Sequence, residues 1–174
     1  MEYITMAGVV LLLMGSNGLG YCFCQQKIRR RRQLGELTQL LILLQGEIRC
    51  HKTVLEEAFL ILQDKTSGFC HAFLQEMVAG LQQQDGCRFV EIWNRAILSV
   101  QEQVAFSQEE RKLWMELGSR IGYLDLQMQE QVLEQYITFF TDRVHWLEGQ
   151  EAQTCRIYRV FGAAGGLLLA VLLL

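Results

Sequence analysis

Two adjacent Cys-His pairs, Cys50-His51 and Cys70-His71, carry the sulfur and nitrogen donors of a tetrahedral zinc site. Such sites draw two ligands from one turn, through spacings such as Cys-x-x-Cys or His-x-x-x-His, and neither spacing occurs in this chain. Neighbouring residues on a helix point about 100° apart. The two pairs also stand 20 residues apart, so a metal centre is not expected. The third histidine, His145, adjoins Trp146 and reads as a surface or packing residue.

Other reactive patterns are missing too. No Gly-rich loop leads into Lys-Ser or Lys-Thr, and no Gly-x-Ser-x-Gly elbow occurs. The run Gly15-Ser-Asn-Gly-Leu-Gly20 lies inside an uncharged stretch, where it cannot hold phosphate. The carboxylate pairs Glu56/Glu57 and Glu109/Glu110 sit where helices should begin, and there they favour the helix dipole. No enzyme and no cofactor is expected. The six cysteines are scattered, so the reading is small buried or lipid-facing residues and no disulfide framework.

The elements that would position these residues are set out around Lys-Ile-Arg-Arg-Arg-Arg at 27–32. Before it, residues 3–24 form an uncharged stretch of 22, enough to cross a bilayer core of roughly 30 Å as a helix. A signal peptide would carry its cations ahead of the apolar run. Here Glu2 precedes it and Lys27, Arg29, Arg30, Arg31 and Arg32 follow. By the positive-inside rule that is an anchor with its N-terminus outside. At the far end, residues 160–174 are uncharged and follow Arg156, Tyr158 and Arg159. With snorkelling of the two arginines and Tyr158 at the interface, residues 157–174 read as a second membrane helix. Its cations also lie on the body side. Both termini are then extracytoplasmic and the body, 26–158, is cytoplasmic. Gly162 and Gly166 form a small-x-x-x-small pair suited to close packing in the membrane.

The body reads as all-α. Proline is absent, which permits long helices. Leu34, Leu37, Leu41, Leu44 and Ile48 step 3, 4, 3, 4 along one helix face. Capping-box patterns begin at Thr53 and Ser107, and breakers stand at 64–68 and 85–86. They delimit helices over about 54–62, 69–84, 88–104 and 108–122, and a long helix begins near Asp125. The expectation is a compact six-helix bundle-like body between two membrane helices. Net charge is −3, and the cations gather at the membrane boundary, so nucleic acid is not an expected partner. The collar should instead attract anionic lipid headgroups.

The order of these features resembles the stage III sporulation protein AB family. The matching stretches are residues 31–37, 44–48, 53–58 and 117–125, and above all the Tyr158-Arg159 pair with its Gly-containing apolar end at 157–169. The chain departs from the family pattern at Val54, where Pro is usual, and at Cys50, where an aromatic is frequent. The resemblance implies a membrane protein of the mother cell, facing the forespore, in a channel or secretion-like apparatus. It implies a soluble part similar to the cytoplasmic domain of the type II secretion and type IV pilus platform protein. It also implies as partners a stage III sporulation protein AA-like cytoplasmic ATPase and the other channel proteins encoded with it. Exposed charges at Arg88, Glu109, Glu110 and Arg111 are the candidate partner surface. Homo-oligomers stay open. The competing reading is a membrane-anchored coiled-coil regulator or scaffold, in which Leu37, Leu44, Leu133 and Ile137 would lie exposed on rods.

Overall fold

The computed structural model describes the backbone of residues 2–51, 55–83, 86–122 and 125–173, and side chains from Cys22 to Gln150 within those limits except Phe23 and His51. The described residues form six helices: α1 (Glu2–His51), α2 (Leu55–Lys65), α3 (Gly68–Gln82), α4 (Phe89–Ser99), α5 (Gln108–Ile121) and α6 (Leu126–Leu173). Two compact units result. One is Arg32–Val144; the other combines Met1–Arg31 with His145–Leu174. Helix α1 continues unbroken across the Arg cluster.

Within Arg32–Val144, α1 contributes the 3-4 stripe. Leu34, Leu37, Leu41, Leu44 and Ile48 are each no more than 2% exposed. Leu133 and Phe140 of α6 are equally buried. With Leu37, Leu44 and Leu133 inside one chain and Ile137 half-buried, the exposed-rod reading does not hold. Helices α2 to α5 follow one another as packed neighbours, α2 on α3, α3 on α4 and α4 on α5. Gly68 (φ 64°) and Gly86 (φ 69°) take left-handed conformations in the connections, which explains the breakers there.

The interior is aromatic. Phe73 of α3 lies 5.0 Å from Trp93 of α4 and 4.9 Å from Trp114 of α5, between ring centroids. Phe69 and Phe106 meet edge to face at 5.7 Å, and Phe106 reaches Trp114 at 5.7 Å. These separations suit tilted and edge-on pairs, each worth about 0.5–1.5 kcal/mol beyond burial. The indole Nε1 of Trp93 donates to the carbonyl of Trp114 at 2.9 Å, tying α4 to α5.

Helix α4 ends five residues before the expected 104. Four-residue turns, each closed by an amide bonding the carbonyl three residues back, carry the chain through Gln103, and Val104 and Phe106 then turn inward. Buried Gln33 of α1 holds that loop. Its Nε2 donates to the Gln103 carbonyl at 2.7 Å, and its Oε1 accepts from the Ala105 amide at 2.8 Å. A side-chain amide that satisfies both backbone groups lets a loop be buried without orphaned donors or acceptors.

Candidate functional site

The first turn of α5 begins with the expected capping box. Ser107 Oγ accepts from the Glu110 amide, and Glu110 Oε2 accepts from the Ser107 amide at 2.7 Å. The second carboxylate oxygen of Glu110 accepts from Arg143 Nε of α6 at 3.1 Å. Glu110 is therefore 1% exposed and acts inside the fold, not on its surface. Arg143, 27% exposed, also lies 3.9 Å from Glu109, whose side chain is 84% exposed. Arg111 is half-buried and donates twice to the Phe106 carbonyl. Of this group, Glu109 is the side chain that projects furthest into solvent.

Arg88 stands elsewhere. It caps the start of α4 and pairs with Glu91 at 2.9 Å, and that hydrogen bond holds the Glu91 carboxyl below the usual range. A Cβ at Gly122, the C-cap of α5, would sit 2.5 Å from the ring of Phe89, next to Arg88. The fold thus sets Arg88 beside the end of α5, while Glu109, Glu110 and Arg111 occupy its start. The 14 residues of α5 separate them by about 20 Å.

The basic run is distributed around α1. Arg29 and Arg32 are exposed, and Lys27, Arg30 and Arg31 are half-buried. Arg32 pairs with Glu36 one turn on, at 3.0 Å. In the unit formed by the two chain ends, Arg31 pairs with Glu148 at 3.2 Å, and Glu148 also meets His145 at 3.3 Å. Lys27 and Arg30 line a cleft of about 70 Å³ with Trp146, Leu147 and Gln150 of α6. Sequence reasoning missed this cleft, because nothing local to residue 27 announces residue 146. Arg156, Tyr158, Arg159, Gly162 and Gly166 lie outside the described side chains, as does the Thr53 capping box outside the described residues.

Among the described residues, no three His, Cys, Asp or Glu side chains gather where they could hold a metal ion. Cys22, Cys50, Cys70 and Cys87 are free thiols. Cys24 is disulfide-bonded, which corrects the expectation of free cysteines. That expectation rested on the scattered positions of the six cysteines along the chain, whereas Cys24 lies in the unit that the two chain ends form together. Among the described residues, no helix is long and apolar enough to cross a membrane. Most side chains of 3–24, and all of 157–174, fall outside that description.

The model of the family described as stage III sporulation protein AB matches residues 5–174. The chain belongs to the stage III sporulation protein AB family. No curated protein and no solved structure gives a match. Membership across nearly the whole length makes this a structural sporulation protein, associated with a membrane, and places it outside the enzymes. In this chain, then, the residues to read for function are surface residues. The interior of Arg32–Val144 is occupied by packing and by the Glu110–Arg143 pair.

Proposed function

We propose that the chain is a membrane-anchored adaptor of a sporulation channel or secretion-like apparatus between mother cell and forespore. It presents its helical body to a stage III sporulation protein AA-like cytoplasmic ATPase, with both termini on the extracytoplasmic side. Supporting this reading is a six-helix body that buries the apolar stripe of α1 within one chain, in a protein that belongs to a sporulation family. A body of that kind acts by contact, through polar side chains such as Glu109 and Arg88. The two stand at opposite ends of α5, so a single small contact does not include both, and Glu109 with its neighbour Arg143 is the better centre.

The test is co-purification of the full chain, held in lipid nanodiscs, with the candidate ATPase. The expected result is retention of the ATPase, weakened about tenfold or more by Glu109→Arg and little changed by Arg88→Glu. If the ATPase elutes alone while the chain keeps its helical circular dichroism, the adaptor reading fails. A reporter fused after Leu174 should report the extracytoplasmic side; a cytoplasmic signal would remove the second crossing.

A further inference from the structure

We propose that the cleft lined by Lys27, Arg30, Trp146, Leu147 and Gln150 is a binding site for the headgroup of an anionic phospholipid. The proposal rests on the membrane anchoring argued above and adds a defined site to it. Lys27 and Arg30 are three residues apart and share a face of α1. Trp146, Leu147 and Gln150 share a face of α6 by the same periodicity. One wall is thus cationic, and the other is apolar with one amide.

That asymmetry matches an amphiphile. Phosphate oxygens would accept from the Lys27 ammonium and the Arg30 guanidinium in charge-assisted hydrogen bonds. The Gln150 amide is suited to a headgroup hydroxyl. Trp146, 48% exposed, and buried Leu147 offer an apolar surface to the glycerol and the first acyl carbons. A space of about 70 Å³ exceeds what one water needs and suits a group of phosphoryl size.

Position favours a lipid over a free anion. The uncharged stretch 3–24 ends three positions before Lys27, so the cleft falls at headgroup depth if that stretch crosses the bilayer. Tryptophan is also enriched at this level of membrane proteins. The apolar wall gives nothing to inorganic phosphate. A zwitterionic choline headgroup would bring its own cation towards Lys27 and Arg30, so the site should prefer phosphatidylglycerol to phosphatidylcholine.

Trp146 supplies the readout. The full chain is placed in vesicles of one fixed phosphatidylglycerol and phosphatidylcholine composition, with bromine on the acyl chains of one lipid or the other. Quenching by each label is measured, and the signal of Trp146→Phe is subtracted to remove Trp93 and Trp114. Wild type should be quenched preferentially by brominated phosphatidylglycerol, with a local enrichment of roughly fivefold, the worth of one juxtamembrane cation. Lys27→Gln with Arg30→Gln should abolish the preference. Arg29→Gln with Arg32→Gln, an equal loss of charge on the same helix, should retain it. The charge-keeping pair Lys27→Arg with Arg30→Lys should also retain most of it and reports on folding.

Equal quenching by both lipids in wild type overturns the site while leaving the anchoring intact. Equal loss in the two glutamine variants reduces the site to a diffuse basic collar and also overturns it. Suppression of the preference by millimolar inorganic phosphate assigns the cleft to a free anion and overturns the lipid. Absence of quenching by either lipid means that Trp146 is not at the bilayer, and the anchoring reading fails with it.

Discussion

Gly118 is the notch in α5 that admits the Trp93 indole: a Cβ built on Gly118 would lie 2.1 Å from Trp93 Cδ1 and 2.2 Å from Cγ. Trp93 is fully buried and holds the Trp114 carbonyl through its Nε1, so the ring has nowhere to move. A flexible side-chain end could retreat from a new methyl group; a ring fixed on both sides cannot. Gly118 therefore sets how closely α4 and α5 approach.

Gly118→Ala should lower stability by about 2–3 kcal/mol through overpacking, despite the better helix propensity of alanine. Gly35→Ala is the matched control. Gly35 also lies inside a helix, but a Cβ there meets nothing within 4 Å. It should be neutral or stabilising by up to about 1 kcal/mol. Urea denaturation followed by tryptophan fluorescence measures both. Equal effects at the two positions would refute the notch.

The buried Glu110 carboxylate serves two partners, the Ser107 amide and Arg143. Glu110→Ala removes both and takes from the partly exposed Arg143 guanidinium its buried carboxylate, while the longer contact to exposed Glu109 stays, so a loss of roughly 3 kcal/mol is expected. Ser107→Ala should cost about 1 kcal/mol as the loss of a cap. Because Arg143 is 27% exposed, solvent screens the pair. A double-mutant cycle between Glu110→Gln and Arg143→Met should give a coupling of about 1 kcal/mol, between the values for exposed and fully buried pairs. A coupling near zero would make Arg143 a spectator.

The apolar stripe of α1 is legible in the sequence because Leu34, Leu37, Leu41, Leu44 and Ile48 repeat at helical period, and a period is local information. The start of α5 is legible for the same reason, since Ser107 and Glu110 are three residues apart. The partner of Glu110 is not, because Arg143 is 33 residues away and nothing near it marks it as paired with α5. Glycine misleads in a different way. Gly118 and Gly122 read locally as weak points of a helix, yet they are sites of close approach for Trp93 and Phe89. The inward turn at Val104 and Phe106 depends on Gln33, more than 70 positions away along the chain for Ala105. The cleft of Lys27, Arg30 and Trp146 likewise joins residues from both ends of the sequence.

Cys70 should be chemically silent in the folded chain. Burial, and secondarily the charge of Glu36, pushes its thiol up to about 12. At pH 8 a thiol reagent should modify exposed Cys50 readily and Cys70 only after unfolding. The same displacement makes stability depend on pH in one direction. Below about pH 9 both states keep the proton and Cys70 adds no dependence. Between about 9 and 12 the unfolded chain loses it while the folded chain retains it, so stability falls by up to about 1.4 kcal/mol per pH unit. Cys70→Ala should flatten that alkaline limb; an unchanged limb would assign it to other groups.

Trp93 and Trp114 share one aromatic cluster but differ in a single atom's surroundings. Trp93 Nε1 donates to the Trp114 carbonyl, whereas Trp114 Nε1 is buried with no hydrogen-bond partner. An unpaired buried N–H is a standing cost of about 1–3 kcal/mol relative to a paired one. Replacing either indole by a phenyl ring removes similar apolar area and leaves a similar void, so the packing losses should nearly cancel in the comparison. What remains is the hydrogen-bond difference. Trp93→Phe removes a bond and leaves the Trp114 carbonyl with its intrahelical donor alone; Trp114→Phe removes an orphan. The first should therefore be more destabilising than the second by about 1–3 kcal/mol in urea denaturation. The remaining tryptophans and far-ultraviolet circular dichroism would report the transition in each variant. Equal losses would mean that the Trp114 N–H is satisfied in solution, by water or by the face of a neighbouring ring.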